Sequence, residues 1–439
     1  MSPTVAESHR EWPAAETPRA PGHTPSLGRN DRSGAAQASQ RSRLATRRRI
    51  AFWLLAFVFS ATMLGTTLPT PLYVIYQARW HFSAAMVTVI FAVYAAAVLA
   101  TLLLAGRSSD QAGRKPVLAA GLGAAALSTI AFILAPNESV LLAGRVLSGL
   151  GAGLMTGTAT AALTELVPAT AGRRASLVAT AANMGGLGLG PLIAGLLAQY
   201  APHPTSLVFE AYLAVLAVAG VCLVFTPETV SPRHRPALRF AGLGIPKRGR
   251  GQFIAAAVAA FAAFALLGLF SSLMPGFIGG VLHQGSHAVQ GAVVFGMFAV
   301  GTITQVALSR FPSHRIVLAG LSLFLASLAL ILTALTQTSM ALFLAGTAAG
   351  GVAVGAIFLG SLATANNLAP PGRRGHVVST FFVACYAGLI IPVVGVGILS
   401  GFIGTFPAVL AFSLLLAALC LYSLARTATT LTSHNAVSR

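Results

Sequence analysis

Long apolar runs separated by short polar loops dominate this chain. The first begins near Ile50, and similar runs recur to about Ala425. Each is about 20 residues or longer, the length a helix needs to cross a hydrocarbon core of roughly 30 Å. The runs do not alternate with period two, and they are too long for the strands of a membrane barrel. Lipid offers backbone groups no partner, so the runs must satisfy their amides internally as helices. Twelve spans follow, at about 51–76, 84–106, 116–135, 139–165, 176–199 and 206–226, then 252–275, 286–308, 316–336, 339–366, 377–400 and 405–425.

The two groups of six repeat. Gly-Arg-Arg occurs at Gly172–Arg174 and again at Gly372–Arg374, an offset of 200. Val117 and Leu118 recur as Val317 and Leu318, Gly151 maps onto Gly351, and Pro191 lies 201 before Pro392. An offset of an even number of spans makes the repeats parallel in the membrane, as in transporters whose two halves rock about a central site. The predicted fold is therefore an all-α integral membrane protein, with 12 transmembrane helices in two parallel six-helix repeats around a central cavity. Residues 1–49 read as a disordered basic cytoplasmic tail, 50–226 as an N-terminal six-helix bundle and 227–251 as a cytoplasmic linker. Residues 252–426 read as a C-terminal six-helix bundle and 427–439 as a cytoplasmic tail. The first apolar run starts late and is of full length, so it is not expected to be a signal peptide.

Composition sharpens this picture. The chain is 56% hydrophobic and only 8% charged, where a soluble domain carries roughly 25%. Its net charge of +19 would suggest nucleic acid in a soluble protein. The distribution points elsewhere. Of the 28 Lys and Arg residues, 26 fall in the N-terminal tail, the even-numbered loops and the C-terminal tail; Arg79 alone lies in an odd-numbered loop, and Arg145 lies within a span. Such asymmetry places both termini and the linker in the cytoplasm, in a multi-pass protein of the inner (plasma) membrane. Cys222, Cys385 and Cys420 all lie in apolar runs without close-spaced pairing, so neither disulfide nor metal site is expected. The spans hold no His cluster and almost no acids, which excludes the converging groups an enzyme needs. No phosphate-cradling GxxxxGK[ST] loop is present, so neither ATP nor another cofactor is implied.

Three stretches carry the chemistry. "GRSSDQAGRKPVL", Gly106 to Leu118, follows the second span and sets Asp110 four residues before Arg114, close enough to pair. Gly106 and Gly113 permit a tight reversal, and Glu165 at the end of the fourth span would face the same layer as Asp110, Arg114 and Lys115. "RVLSGLGAG" places Arg145 inside the fourth span, where a charge is costly and functional use is the default; a snorkelling Arg at the outer interface is the alternative. "GGLGLGPLIAGL" in the fifth span sets Gly186, Gly190, Pro191 and Gly195 for close packing and a bend, either as a pliable helix between the halves or as ordinary small-residue packing. Glu210, near the outer end of the sixth span, is the one acid well inside an apolar run; it is either a proton site or an interfacial Glu.

These three stretches, in this order on these spans, resemble the major facilitator superfamily over about residues 50–425. The first is similar to its signature between the second and third helices, the second to its fourth-helix Arg motif, and the third to the fifth-helix motif of the drug/proton antiporter group. Ala194 stands where that last motif has glycine. The resemblance implies a monomer that exports a small amphipathic solute or drug by alternating access in exchange for protons; uptake symport or facilitated diffusion on the same fold is the alternative. It further implies that Asp110, Arg114 and Glu165 form a relay that meets the N-terminal end of the eleventh helix and latches the cytoplasmic side. The second-half copy, "SRFPSHRIVL", has Arg310 where Asp110 would map, which makes the latch one-sided. The family's cavity is lined by its first, fourth, seventh and tenth helices, which here supply Thr66, Thr67, Tyr73, Arg145, Ser148, Ser271, Ser272 and Asn366, with Phe264 and Phe270. Arg145, Glu210, Tyr73 and Ser271 are the candidates for substrate or proton handling. The lack of a mid-membrane carboxylate points to a neutral or weakly anionic substrate.

Overall fold

A computed structural model of the chain describes residues 30–105, 108–230 and 242–437. Gly106 and most of the expected tail and linker lie outside these residues. Among the described residues, twelve helices are long and apolar enough to span a membrane. They belong to one compact unit, residues 48–439, and residues 1–47 form a separate unit whose described part, from Asn30, is helical.

The helices are α1 (Asn30–Thr67), α2 (Tyr73–Trp80), α3 (Ala84–Ala105), α4 (Ser108–Ala112), α5 (Arg114–Ile133), α6 (Glu138–Glu165), α7 (Gly172–Tyr200) and α8 (Pro204–Val224) in the first half. The second half has α9 (Arg250–Ser272), α10 (Met274–Gly280), α11 (His287–Leu308), α12 (Ser313–Thr336), α13 (Met340–Leu368), α14 (Arg374–Ile403) and α15 (Thr405–Val437). Sequence expectation and structure differ most at the first and seventh spans. Both were expected as single helices; each is a long helix followed by a short one, because Pro69, Pro71 and Pro275 cannot donate into a continuing helix. Polar caps fix other starts: Asn137 Oδ1 accepts from Val140 N at 3.2 Å, and Ser286 Oγ from Val289 N at 3.4 Å.

The repeat is visible at atomic level. Ser128 Oγ on α5 donates to Gly144 O on α6 at 2.7 Å, and Ser327 Oγ on α12 donates to Gly346 O on α13 at 2.8 Å. In lipid such bonds, and the small residues that let helices approach, replace the hydrophobic drive of water. The two helix breaks meet where the halves face each other: Thr70 Oγ1 donates to Ser271 O at 3.0 Å.

Candidate functional site

A cavity of about 340 Å³ lies between the halves. Phe91, Tyr94, Phe264, Phe298, Phe358, Phe382 and Tyr386 form its aromatic walls, and Thr156, Asn183 and Gln305 offer polar contacts. No charged side chain is among its lining residues. Leu102, Thr160 and Gln305 sit near the ends of α3, α6 and α11 that lead into the basic loops, so the cavity leans to that side. The opposite end is closed. There Gln199 Oε1 accepts from His287 N at 2.9 Å, and a Cβ on Gly397 would come within 2.3 Å of Thr88 Oγ1. Across the halves on the basic side, Arg173 Nη2 donates to Ser309 Oγ at 3.2 Å.

Of the residues expected to line the cavity, Thr67, Ser271 and Phe264 do so. Thr66, Tyr73, Ser148, Ser272 and Phe270 are instead buried in helix packing, and Asn366 accepts from Arg374 Nε at 2.7 Å. More than half of the wall comes from α3, α7, α11 and α14, which carry Tyr94, Asn183, Gln305 and Tyr386. These were missed because a lone aromatic or amide in an apolar run does not announce which face it occupies.

Arg145 is fully buried, which rules out snorkelling to the interface. Its Nη1 donates to Thr66 O at 2.6 Å and its Nη2 donates to the Tyr73 hydroxyl. The guanidinium carbon lies 5.6 Å from the Tyr73 ring centroid and 5.0 Å from that of Tyr94. Among the described residues no carboxylate pairs with it, and its Nε finds no partner. The charge is held by a carbonyl, a hydroxyl and two π faces, the groups that remain when acids are absent. Because Tyr94 lines the cavity, Arg145 acts behind the wall rather than on its surface.

After the second span, Asp110, Arg114 and Glu165 come together. Arg114 Nη1 lies 2.6 Å from Asp110 Oδ1, and its Nη2 lies 2.8 Å from Glu165 Oε1. Gly113 adopts φ +95, a backbone region that L side chains avoid, as the chain turns into α5. The carboxylate that meets a helix N-terminus is Glu228, and the helix is α5: Arg114 N and Lys115 N donate to its two oxygens at 2.8 and 2.9 Å. The resemblance also implies a contact between this relay and the N-terminal end of the eleventh span, α14; among the described residues no ion pair reaches α14, and both ion pairs lie within the first half. Lys115 Nζ donates to Val224 O at 2.7 Å, and Thr229 Oγ1 to Glu165 Oε2 at 2.6 Å. Glu228 and Thr229 fell inside the expected linker. With nine acids in the whole chain, the one just past the sixth span was the available signal.

On α7, a Cβ at Gly186 would lie 2.5 Å from Ser60 O, and one at Gly190 would lie 2.4 Å from Leu64 O. At Gly195 it would meet His287 O at 2.5 Å, across the boundary between halves. Pro191 leaves the Leu187 carbonyl without its helical donor, and Thr67 Oγ1 supplies one at 2.6 Å. Glu210 is exposed on α8 and does not line the cavity, about 9 Å along the helix from Pro204 at 1.5 Å per residue. That position suits an interfacial Glu.

Residues 54–393 match the Major Facilitator Superfamily. An uncharacterised MFS-type transporter of Mycobacterium tuberculosis is 28% identical over 207 residues, 46% of this chain and 34% of that protein. The multidrug resistance protein MdtL of Escherichia coli is 41% identical over 71 residues, 16% of this chain and 18% of MdtL. The chain thus spans about a third or less of the length of these curated relatives. Among solved structures, a bacterial homologue of the human lysosomal transporter Spinster, in an inward-facing and unoccupied conformation, superposes with a TM-score of 0.66 at 16% identity, covering 88% of this chain and 98% of its own. A human organic anion transporter superposes with 0.62 at 16% identity, covering 86% and 99%. The twelve spans, the paired halves and the match across residues 54–393 make this chain a member of the Major Facilitator Superfamily, a multi-pass membrane transporter and not an enzyme.

Proposed function

We propose that this transporter exports a neutral or weakly anionic amphipathic solute by alternating access, in exchange for protons, as a monomer in the plasma membrane with both termini in the cytoplasm. The carrying observation is the cavity: aromatic walls with scattered hydroxyls and amides and no charged lining residue. Such a surface stacks flat apolar bodies and orients a few polar groups, while a permanent cation would find no countercharge. The side of the Lys and Arg residues supports the orientation. The fifth-span motif and the partial match to a multidrug resistance protein support efflux.

Proton coupling needs a group that changes its surroundings as the halves rock. Glu165 is the best placed: its partner Thr229 belongs to the linker, whose motion would break that contact, while Arg114 stays beside it in the first half. Glu210, exposed and away from the cavity, is not assigned this role. Uptake or facilitated diffusion without protons is the second reading, favoured by the absence of any carboxylate, histidine, lysine or arginine from the lining.

Purified protein in vesicles with an imposed pH gradient tests both. Wild type and Glu210→Gln are expected to move a neutral amphipathic dye against its gradient, and Glu165→Gln is expected to lose the dependence on the gradient. Transport of permanent cations alone would overturn the substrate reading. Flux in wild type that ignores the pH gradient would select facilitation.

A further inference from the structure

The second half of the chain contains no acid at all: the last of the nine, Glu228, precedes it. Its basic residues therefore have no carboxylate of their own half to pair with. Among the described residues, neither ion pair involves Lys247, Arg248, Arg250, Arg373 or Arg426. Two of these sit at neighbouring helix ends: a Cβ at Gly251, which follows Arg250 in the chain, would lie 3.4 Å from Arg426 Nη2, so the Arg426 guanidinium lies against the start of α9. Like charges held close call for an anion.

Beside this cluster lies a groove of about 830 Å³ between α9, α14 and α15. Thr380 is the one polar side chain among its lining residues, and it is satisfied: it donates to His376 O at 3.0 Å and accepts from Gly244 N at 2.9 Å. The groove's position within membrane-spanning helices means that lipid is what faces it. Helical periodicity ties groove and cluster together. On α9 the lining residues Ile254, Ala257 and Phe261 share a face with Arg250. On α15, Phe412, Leu415 and Leu419 lead down the same face to Arg426. On α14, Thr380 and Ala384 lead back to His376 and Arg373. Three helices thus each present an apolar stripe that ends in a base on the same side. From Thr380 to Pro392 the groove rises about 18 Å at 1.5 Å per residue, enough for the chain of one leaflet in a core of roughly 30 Å.

We propose that this groove is a binding site for an anionic phospholipid, its phosphate held by Arg250 and Arg426 and an acyl chain lying along α9, α14 and α15. The guanidinium fork suits a phosphate, and the apolar stripes suit a chain. The proposal goes beyond the transport reading, and its assay reads lipid rather than flux, so the two can fail separately.

The test uses full-length protein in mild detergent, stripped of lipid and then offered phosphatidylglycerol or phosphatidylcholine of equal chain length. Retained lipid is read by native mass spectrometry and stabilisation by thermal melting. Wild type is expected to retain phosphatidylglycerol selectively. Arg250→Gln with Arg426→Gln should cut that retention about five-fold per arginine removed, while Arg315→Gln, on the same side but off the groove, should not. Gly395 lines the groove and a Cβ there meets nothing within 4 Å. Gly395→Leu should therefore fold normally, fill the groove and displace the lipid with the arginines intact. Equal retention of the two lipids would overturn the proposal. So would an equal loss in Arg315→Gln, retention in Gly395→Leu at the wild-type level, a groove-dependent dimer, or stabilisation by inorganic phosphate as large as that by phosphatidylglycerol.

Discussion

At the scale of single residues, the charges in this chain are few and each is placed. Arg145 is held by Thr66 O, the Tyr73 hydroxyl and the faces of Tyr73 and Tyr94. A lysine gathers its three donors on one nitrogen and has no flat guanidinium face, so it cannot reach both acceptors while stacking on two rings. Arg145→Lys is therefore expected to reach the membrane in normal amount and to lower transport at least about ten-fold, the equivalent of roughly 1.4 kcal/mol at the transport step. Vesicle flux normalised to inserted protein checks this; near-normal flux would show that the charge alone suffices. Glu228 makes a second case. It accepts from Arg114 N and Lys115 N, two donors that α5 leaves without helical partners. Glu228→Ala should destabilise the protein by about 1 kcal/mol, in the range of lost helix caps, and should loosen Thr229 from Glu165; thermal melting in detergent reads the first effect. The Asp110, Arg114 and Glu165 group was legible in the sequence because motif spacing and scarcity of charge coincide there. Glu228 was not, because the contact joins residues 114 apart and no local pattern encodes it. Arg145 was legible as a buried charge, but its partners are a carbonyl and ring faces, which leave no trace in residue type.

At the scale of helices, apolar run length located all twelve spans, and proline decided where two of them break. What the runs could not show is which face each helix turns to the cavity, since the faces of a helix surrounded by lipid and protein are both apolar. The expected lining came from the resemblance, which names only the first, fourth, seventh and tenth helices, and the runs themselves offered nothing to add α3, α7, α11 and α14. The fifth span is the exception, because glycine spacing marks a contact face directly. At Gly291 a Cβ would lie 2.2 Å from Pro191 O, so α7 and α11 touch backbone to backbone near the closed end. Gly291→Ala should force these helices apart and raise the share of molecules open at that end. Labelling of a cysteine introduced at Gln199 by a membrane-impermeant reagent measures it, with faster labelling as the expected result. Thr67→Val, which removes the donor to Leu187 O beside Pro191, should cost about 0.6 kcal/mol, the average of such interhelical bonds in lipid. If both variants behave as wild type, α7 is a static strut and not a moving element.

At the scale of the whole molecule, the arrangement is asymmetric across the membrane. At the end away from the basic loops the halves join through Thr70 and Ser271, Gln199 and His287, and Thr88 and Gly397; the cavity leans to the other side, where Arg173 meets Ser309. Transport by rocking requires this join to open in every cycle, since a solute in the cavity has no other way to the far side. A Cβ at Gly397 would lie 3.0 Å from that of Thr88, close enough that small adjustment brings a cysteine pair into disulfide range. The native cysteines are free, and Cys385 and Cys420 are buried, so a background lacking all three is a modest change. In that background, Thr88→Cys with Gly397→Cys is expected to transport when reduced and to stop when oxidised, with recovery on adding a thiol. Either cysteine alone should be indifferent to oxidant. The lock tests the cycle rather than the cavity: an oxidised protein would still bind solute from the basic side, so binding that survives while flux vanishes is the decisive pairing. Full flux through the locked protein would mean that solute leaves by a route that does not separate α3 from α14, and the rocking of the two halves would then not be the transport step.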